Sequence, residues 1–398
     1  MSHNYDEPIN RRGRGSLKWD TYPEDVLPLW VADMDFPAPE AVIHALRRAV
    51  EHGIFGYPAE IHALPGERKE MREVIVERMK RLYQWAIQPE DILFLPGVVV
   101  GLNLVVHSLA ETGGEVIVQP PVYPPILRAP QYGNLKRVDV ELLARQSAAS
   151  SPELHYEVDE EAFRAALSPQ TRLFILCNPQ NPTGRVFRQD ELQRLAEVCL
   201  SRRVLICSDE IHNDLIYPPH RHIPIAALDA QVAHNTITLM APSKTFNIPG
   251  LQFAFAIVPN AELRQKLHHA SKGLLNWINL LAWEAACAAY QQGEAWLQNT
   301  LSYLQSNRDM LTAWLQTNFP KARYTCPEGT YLTWLDFRQL GLPENPYEFF
   351  LKNARVALND GETFGAGGQG FVRLNFACPR STLLEALRRM KEACAPYS

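Results

Sequence analysis

Between residues 92 and 258 the chain repeats one alternation: a short apolar run without polar interruption, then a stretch with helical spacing. A strand that is apolar on both sides has to be covered on both sides, and the helices between the strands are what can cover it. The apolar runs fall at 92–95, 115–119, 136–142, 173–177, 204–208, 236–240 and 252–258. Helical patterns occupy 98–110, 124–132, 160–167 and 189–201. The arrangement predicts an α/β fold with a mostly parallel sheet flanked by helices. In such sheets ligands lie beyond the carboxyl ends of the strands.

Further along, 262–273, 276–292 and 295–319 read as helices, the last long enough to connect two lobes. The segments 323–337, 371–376 and 381–395 suggest a smaller α+β C-terminal domain. Upstream, residues 1–36 form an extended arm rich in aromatics (Trp19, Tyr22, Trp30, Phe36), in which Pro23, Pro28 and Pro37 block helix. Helical patterns follow at 39–52 and 66–84. The expected division is an arm with part of the small domain at 1–45, a large domain at 46–285 and a small domain at 286–398. The stretch 144–152 (ARQSAASSP) reads as a surface loop.

Bulk properties narrow the function. A formal charge of -5 leaves no basic excess for nucleic acid. The seven cysteines are scattered without C-x-x-C, and Cys177, Cys199 and Cys207 sit in apolar contexts as reduced core residues. Residues 1–16 are polar and Arg-rich, unlike a signal peptide. The apolar stretch 92–106 is interrupted by Pro96, Gly97 and Asn103 and is too short to span a bilayer. These features point to a cytoplasmic protein with a small-molecule substrate, bound neither to nucleic acid nor to membrane.

Polar residues then cluster where the sheet rule puts ligands. The apolar run before Lys244 ends in Ser243-Lys244 and breaks on Asn247, Pro249 and Gly250, which sets one lysine at the mouth of the fold. Desolvation there lowers the amine's pKa and frees a nucleophile able to condense with a carbonyl compound, pyridoxal phosphate above all. A lone Ser-Lys is more often a solvated lysine, so the neighbours have to carry the case. Gly97-Val98-Val99 opens a helix after a strand, a cradle for phosphate or simply a tight turn. Asn178-Pro179-Gln180-Asn181-Pro182-Thr183-Gly184 fixes a rigid loop that can hold an amide at a defined point. Asp209, in Ser208-Asp209-Glu210-Ile211-His212, needs a cationic or N–H partner such as a pyridinium. A metal at Asp209, Glu210 and His212 is the competing reading, but adjacent strand residues face opposite ways and make a poor ligand set. Arg373 is a cation inside an apolar strand and suits an internal or a substrate carboxylate. Tyr123, just past a strand, can stack on a ring or serve the core. The glycine-rich 365–370 precedes a strand and reads as a flexible hairpin.

Taken together these stretches resemble the fold-type I pyridoxal-phosphate enzymes, within the aminotransferase class I/II superfamily. N-P-x-N-P-T-G, S-D-E-I-H, S-K-T-F-N and V-R-L-N come in that order, with 28 residues from Asn181 to Asp209 and 35 from Asp209 to Lys244. The details W-V-A-D-M-D-F, F-G-Y-P, P-G-V-V, P-P-V-Y-P-P and A-P-S-K-T-F-N-I-P-G-L look like the MalY/PatB-type cystathionine β-lyases, and the likeness covers essentially the whole chain. It implies an aspartate-aminotransferase-like fold, pyridoxal 5'-phosphate as cofactor, and cleavage of cystathionine or related cysteine S-conjugates to a thiol, pyruvate and ammonia.

Carried over residue by residue, Lys244 would hold the cofactor and shuttle the proton, and Asp209 would pair with the ring nitrogen. Asn181 would reach the phenolic oxygen and substrate carboxylate, Tyr123 the ring and the leaving sulfur. The amides of Val98 and Val99, with Ser243, would bind phosphate, and Arg373 the substrate carboxylate. Tyr57 would reach the phosphate of a neighbouring subunit, implying a homodimer with shared sites. Val31, Trp30 and the partner subunit's Trp277 would form an apolar entrance. Two departures stand out: Gln252 replaces an arginine frequent in the wider superfamily, and His212 takes the place of a tyrosine near the phenolic oxygen. An aminotransferase remains an alternative, as does a regulatory protein that binds a transcription factor and keeps residual lyase activity.

Overall fold

The computed structural model describes residues 4–57, 69–110, 113–148, 151–275 and 277–397, with the side chains of 69 and 70 not described. Positions 66–68 and 276, where two helices are expected to begin, lie outside these residues, as do 149–150 in the expected loop. The arm contributes β1 (Leu27–Pro28). Next come β2 (Ile92–Leu95), β3 (Glu115–Val118) and β4 (Lys136–Asp139), followed by β5 (Leu143–Gln146), β6 (Glu153–Glu157) and β7 (Thr171–Cys177). Then follow β8 (Leu205–Asp209), β9 (Thr236–Met240) and β10 (Ala254–Ile257). The last third holds β11 (Arg323–Thr325), β12 (Leu332–Asp336), β13 (Val356–Ala357), β14 (Asn359–Asp360) and β15 (Phe371–Asn375).

Seven strands form the large sheet in the order β2-β10-β9-β8-β7-β3-β4. Only β10 among them runs against the others. Successive residues of β7 and β8 face opposite layers: Ile175 and Cys207 pack beneath the helix Val98–Ser108, while Phe174 and Ile206 pack with Leu195 and Cys199 on the other side. That is the period-two geometry of a strand covered on both faces, and each such buried side chain is worth about 1.5–3 kcal/mol. Gly101 lets the Val98–Ser108 helix lie against the sheet, since a Cβ there would come within 2.7 Å of Leu95 Cδ1. The register aligns Cys177 with Asp209 and Asp209 with Leu239, so the loops after β7, β8 and β9 leave the sheet at one level.

The second sheet has six strands in the order β14-β15-β12-β11-β6-β5. Against it and the arm lies the helix Glu294–Asn318, about 37 Å long at 1.5 Å per residue. Leu297, Thr300, Leu304, Asn307, Leu311 and Leu315 recur on its buried stripe at three- and four-residue spacing. β1 pairs in parallel with β13, which ties the arm to the C-terminal third.

Three local expectations change. The segment read as a loop at 144–152 instead starts on β5 and leads into β6, an antiparallel pair that extends the smaller sheet although it falls within 46–285. β4 is an edge strand, mostly exposed, with charged Lys136, Arg137 and Asp139 guarding its free side rather than an apolar run. Lys244 stands on a one-turn helix (Pro242–Thr245) just beyond β9 and not on the strand end itself. The glycine-rich 365–370 lies between the antiparallel β14 and β15. Among the described residues, no helix is long and apolar enough to cross a membrane.

Candidate active site

A cavity of about 590 Å³ opens where β7, β8 and β9 end, closed on one side by β15 and on another by arm residues Trp30, Val31 and Ala32. Of the residues expected in a site, it brings together Val98, Val99, Tyr123, Asn181, Asp209, His212, Ser243, Lys244, Arg373 and Val31. Tyr57 is not among them: it is 86% exposed, with its ring edge-on to Trp277 at 5.0 Å.

β8 delivers Asp209 into this cavity as its last residue. The carboxylate accepts the Ile211 amide at 3.2 Å and forms no ion pair among the described residues. Burial pushes its pKa up to about 6; the Ile211 amide works against this, nearby Glu210 adds to it, and Lys244 opposes it. Glu210, the next residue, turns to the other side, to Ser208 Oγ at 2.8 Å and His222 Nε2 at 2.7 Å. Asp209, Glu210 and His212 therefore do not converge as a metal site would require. His212 is buried, its Nδ1 has no hydrogen-bond partner among the described residues, and burial together with Lys244 and Arg373 drives its pKa well down, so its ring is neutral.

Lys244 Nζ donates to the carbonyl of Ala32 at 2.6 Å. Burial lowers the amine to about 8, with Arg373 adding to the effect and Asp33 and Asp209 partly reversing it. The short helix that carries it is pinned from below, where Thr245 Oγ1 donates to Asp214 at 2.9 Å and buried Arg78 pairs with Asp214 at 2.6 Å. The lowered value has a direct readout. Acylation of Lys244 in the cofactor-free protein by a small anhydride should rise tenfold per pH unit up to about pH 8 and then level off, because only the neutral amine reacts. A midpoint near the ordinary lysine value of about 10.5 would contradict this environment.

Arg373 is buried, and its guanidinium meets neutral acceptors only: Asn181 Oδ1 at 2.9 Å, the Trp30 carbonyl at 2.8 Å and Asn359 Oδ1. Nε has no hydrogen-bond partner among the described residues, and burial lowers the pKa to about 10. A buried guanidinium without a carboxylate is costly to keep and is suited to receive one. Half-buried Tyr123, at the start of the helix Pro124–Tyr132, has its hydroxyl pKa raised by burial, with Arg373 opposing and Asp209 adding. The helix Val98–Ser108 points its free first amides into the same space, with Gly97 extended at its start. Gln252, in a left-handed conformation (φ 60°), lines the cavity where the superfamily's arginine is missing.

Several contributors were not picked out from the sequence. Asn375 donates to the carbonyls of Val31 at 2.6 Å and Asp33 at 2.7 Å. Asn247 holds Met34 through its N–H and its carbonyl, each at 2.9 Å, and the Phe36 carbonyl at 2.7 Å. Two carboxamides, one three residues after Lys244 and one two residues after Arg373, thus grip the same strap of the arm. Tyr331 adds a hydroxyl to the Ala32 carbonyl at 2.9 Å. Gln180 Nε2 bridges the carbonyls of Gln119 at 3.1 Å and Pro121 at 2.9 Å, joining the Asn181 loop to the Tyr123 loop. Strand alternation gives a signal for Asn375, which shares a face with Arg373; Asn247, Asn359 and Gln180 carry none.

Residues 24–390 match the aminotransferase class I and II family. The chain is 39% identical to a protein of Bacillus subtilis (strain 168) named cystathionine beta-lyase PatB, with 98% of this chain and 99% of that one aligned. Its fold superposes on cystalysin from Treponema denticola, which contains pyridoxal 5'-phosphate, with a TM-score of 0.91, 31% identity and all of both chains covered. It superposes also on a pyridoxal-phosphate-bound C–S lyase from Staphylococcus hominis, with a TM-score of 0.89, 32% identity, and 98% and 99% of the two chains covered.

Proposed function

The chain belongs to the aminotransferase class I and II family of pyridoxal 5'-phosphate enzymes, and from that premise we propose that it is a carbon–sulfur β-lyase. The reaction joins a cysteine S-conjugate such as L-cystathionine with one water to give a thiol (homocysteine from cystathionine), pyruvate and ammonia. The observation that carries the reading is a complementary pair of unmet charges. Among the described residues Asp209 is a buried carboxylate with no ion pair and Arg373 a buried cation with no carboxylate against it, and both face one cavity with a lysine lowered to about 8.

The residues fit the cofactor. Lys244 would hold it, Asp209 would accept its ring N–H, Tyr123 would lie against its ring, and Asn181 and His212 would serve its phenolic oxygen. The amides of Val98 and Val99, with the Ser243 hydroxyl, would be the phosphate donors, and Gln252, in the same lining, adds no charge. When bound, the cofactor supplies an electron sink that makes the α-proton of an amino acid removable. Arg373 and Asn181 hold the substrate carboxylate, which fixes the α-carbon before Lys244. Lys244, whose lowered pKa of about 8 leaves a share of the amine neutral near physiological pH and which the Ala32 carbonyl steers, takes the proton. Tyr123 or the newly charged Lys244 returns a proton to the departing sulfur.

The same reading takes the protein to be a cytoplasmic homodimer in which the partner subunit's Tyr57 completes the phosphate site. Exposed Ile54, Phe55, Tyr57, Leu274 and Trp277 support it, because apolar groups of this size lie open at 44–86% exposure. It also keeps the large domain at 46–285, with the small domain made of the arm and 286–398.

The test is pyruvate release from L-cystathionine by the yellow, cofactor-loaded protein. Release of pyruvate is the expected result. Turnover only when a keto acid is supplied would make the chain an aminotransferase instead. Arg373→Gln should raise KM about 100-fold, as expected for loss of a charged bidentate contact, while the cofactor's absorbance stays unchanged.

A further inference from the structure

A second cavity of about 660 Å³ lies on the far side of the arm strap and meets the first along Leu17, Val31, Ala32, Lys244 and Pro249. Arg373 borders only the first cavity, whereas Lys244 borders both. A substrate gripped by its carboxylate at Arg373, with its α-carbon before Lys244, has this second chamber as the space past the lysine. Resting on the lyase reading above, we propose that the chamber receives the sulfur substituent. We further infer that it selects S-conjugates whose leaving thiol is uncharged and apolar over those whose leaving thiol carries an ammonium and a carboxylate.

Two properties of the chamber lead there. Apolar side chains contribute much of its lining: Leu17, 67% exposed, and Ile9, 41% exposed, both on the arm, together with Val31 and Pro249. Such side chains gain from covering an alkyl or aryl group. Its charged groups on the arm, in contrast, are already paired with one another or with the buried Lys18 behind them. Arg11 spans Asp33 at 2.7 and 2.9 Å and also reaches Asp35 at 2.6 Å. Fully buried Lys18 takes the other oxygen of Asp35 at 2.7 Å, and Trp19 Nε1 donates to the first at 2.7 Å. Two cations and two carboxylates cancel. A zwitterionic leaving group such as homocysteine would have to break these pairs or enter with its own charges unmet.

The experiment measures kcat/KM for pyruvate release across S-methyl-, S-ethyl-, S-propyl- and S-butyl-L-cysteine, with L-cystathionine alongside. The expected result is a rise of roughly three- to fourfold per methylene, the gain from burying one such group, with S-butyl-L-cysteine exceeding L-cystathionine. Leu17→Asp should then lower the S-butyl to S-methyl ratio about tenfold while the cofactor's absorbance is retained. A flat series, or L-cystathionine outpacing the S-butyl compound, would overturn the inference and leave the lyase reading standing. No pyruvate from any member would remove the lyase reading itself.

Discussion

Replacing Lys244 by alanine should lower turnover by at least about 10⁴-fold, because on the proposed reading one side chain both holds the cofactor and moves the proton. Its Nζ is the only lysine nitrogen lining that space among the described residues. The variant should still fold. Lys244 makes one hydrogen bond, to a backbone carbonyl that Tyr331 also serves, and carries no ion pair. The measurement is pyruvate release together with absorbance of the purified variant incubated with cofactor. The expected result is a protein that binds cofactor loosely and makes no pyruvate above background. Turnover within tenfold of the parent would assign the proton transfer elsewhere.

The second large effect has opposite signs for activity and stability. Asp209→Asn keeps the shape and removes the charge. Without a carboxylate to hold its ring nitrogen protonated, the cofactor is a weaker electron sink, and kcat should fall about 10²- to 10³-fold. The cofactor-free protein should become more stable. Burial raises the Asp209 pKa from 3.8 to about 6, so ionising it costs the native state more than the unfolded chain. Two units correspond to about 3 kcal/mol. A carboxyl whose folded value lies above its unfolded one favours folding below the unfolded value and loses that advantage as pH rises through the folded one. At pH 7.5 the parent bears the full cost, and Asp209→Asn should raise Tm by a few degrees. The gain should vanish below about pH 4. A variant less stable than the parent at pH 7.5 would mean that Asp209 has a native partner beyond the Ile211 amide. Losing activity while gaining stability is the signature of a charge kept for a ligand rather than for the fold.

Why some of this could be read in advance and some could not has a physical basis. The parallel sheet was legible because β7, β8 and β9 are buried on both faces and their composition records it. Asp209, Asn181 and Lys244 were legible as a group because a parallel sheet brings successive strand ends to one edge, turning order in sequence into nearness in space. Arg373 was legible as a cation in an apolar strand. The carbonyl of Ala32 was not: a backbone oxygen has no residue type, and its bond to Lys244 spans 212 positions. β5 and β6 were missed for another reason. β5 is short and mostly exposed, and β6 carries only two buried apolar residues, Leu154 and Tyr156, too short a period to stand out; β6 is held by pairing with β11 from far along the chain, and β5 by pairing with β6.

The strap of residues 30–36 has a bearing on how such a chain comes to be made. Its distant partners include the side chains of Asn247, Tyr331, Arg373 and Asn375, so the segment emerges from the ribosome some 340 residues before the last of them. At about 5–20 residues per second that gap is roughly 20–70 s. Once β10 has been made, more than a hundred residues before β15, the large sheet can close around β7, β8 and β9, while the strap still lacks Tyr331, Arg373 and Asn375. The nascent chain therefore passes through an interval in which Lys244 is present but Arg373 is not, so on the proposed reading no side chain yet holds a substrate carboxylate. On that reading competence comes late, when β15 docks, and a chain truncated before it should be inert.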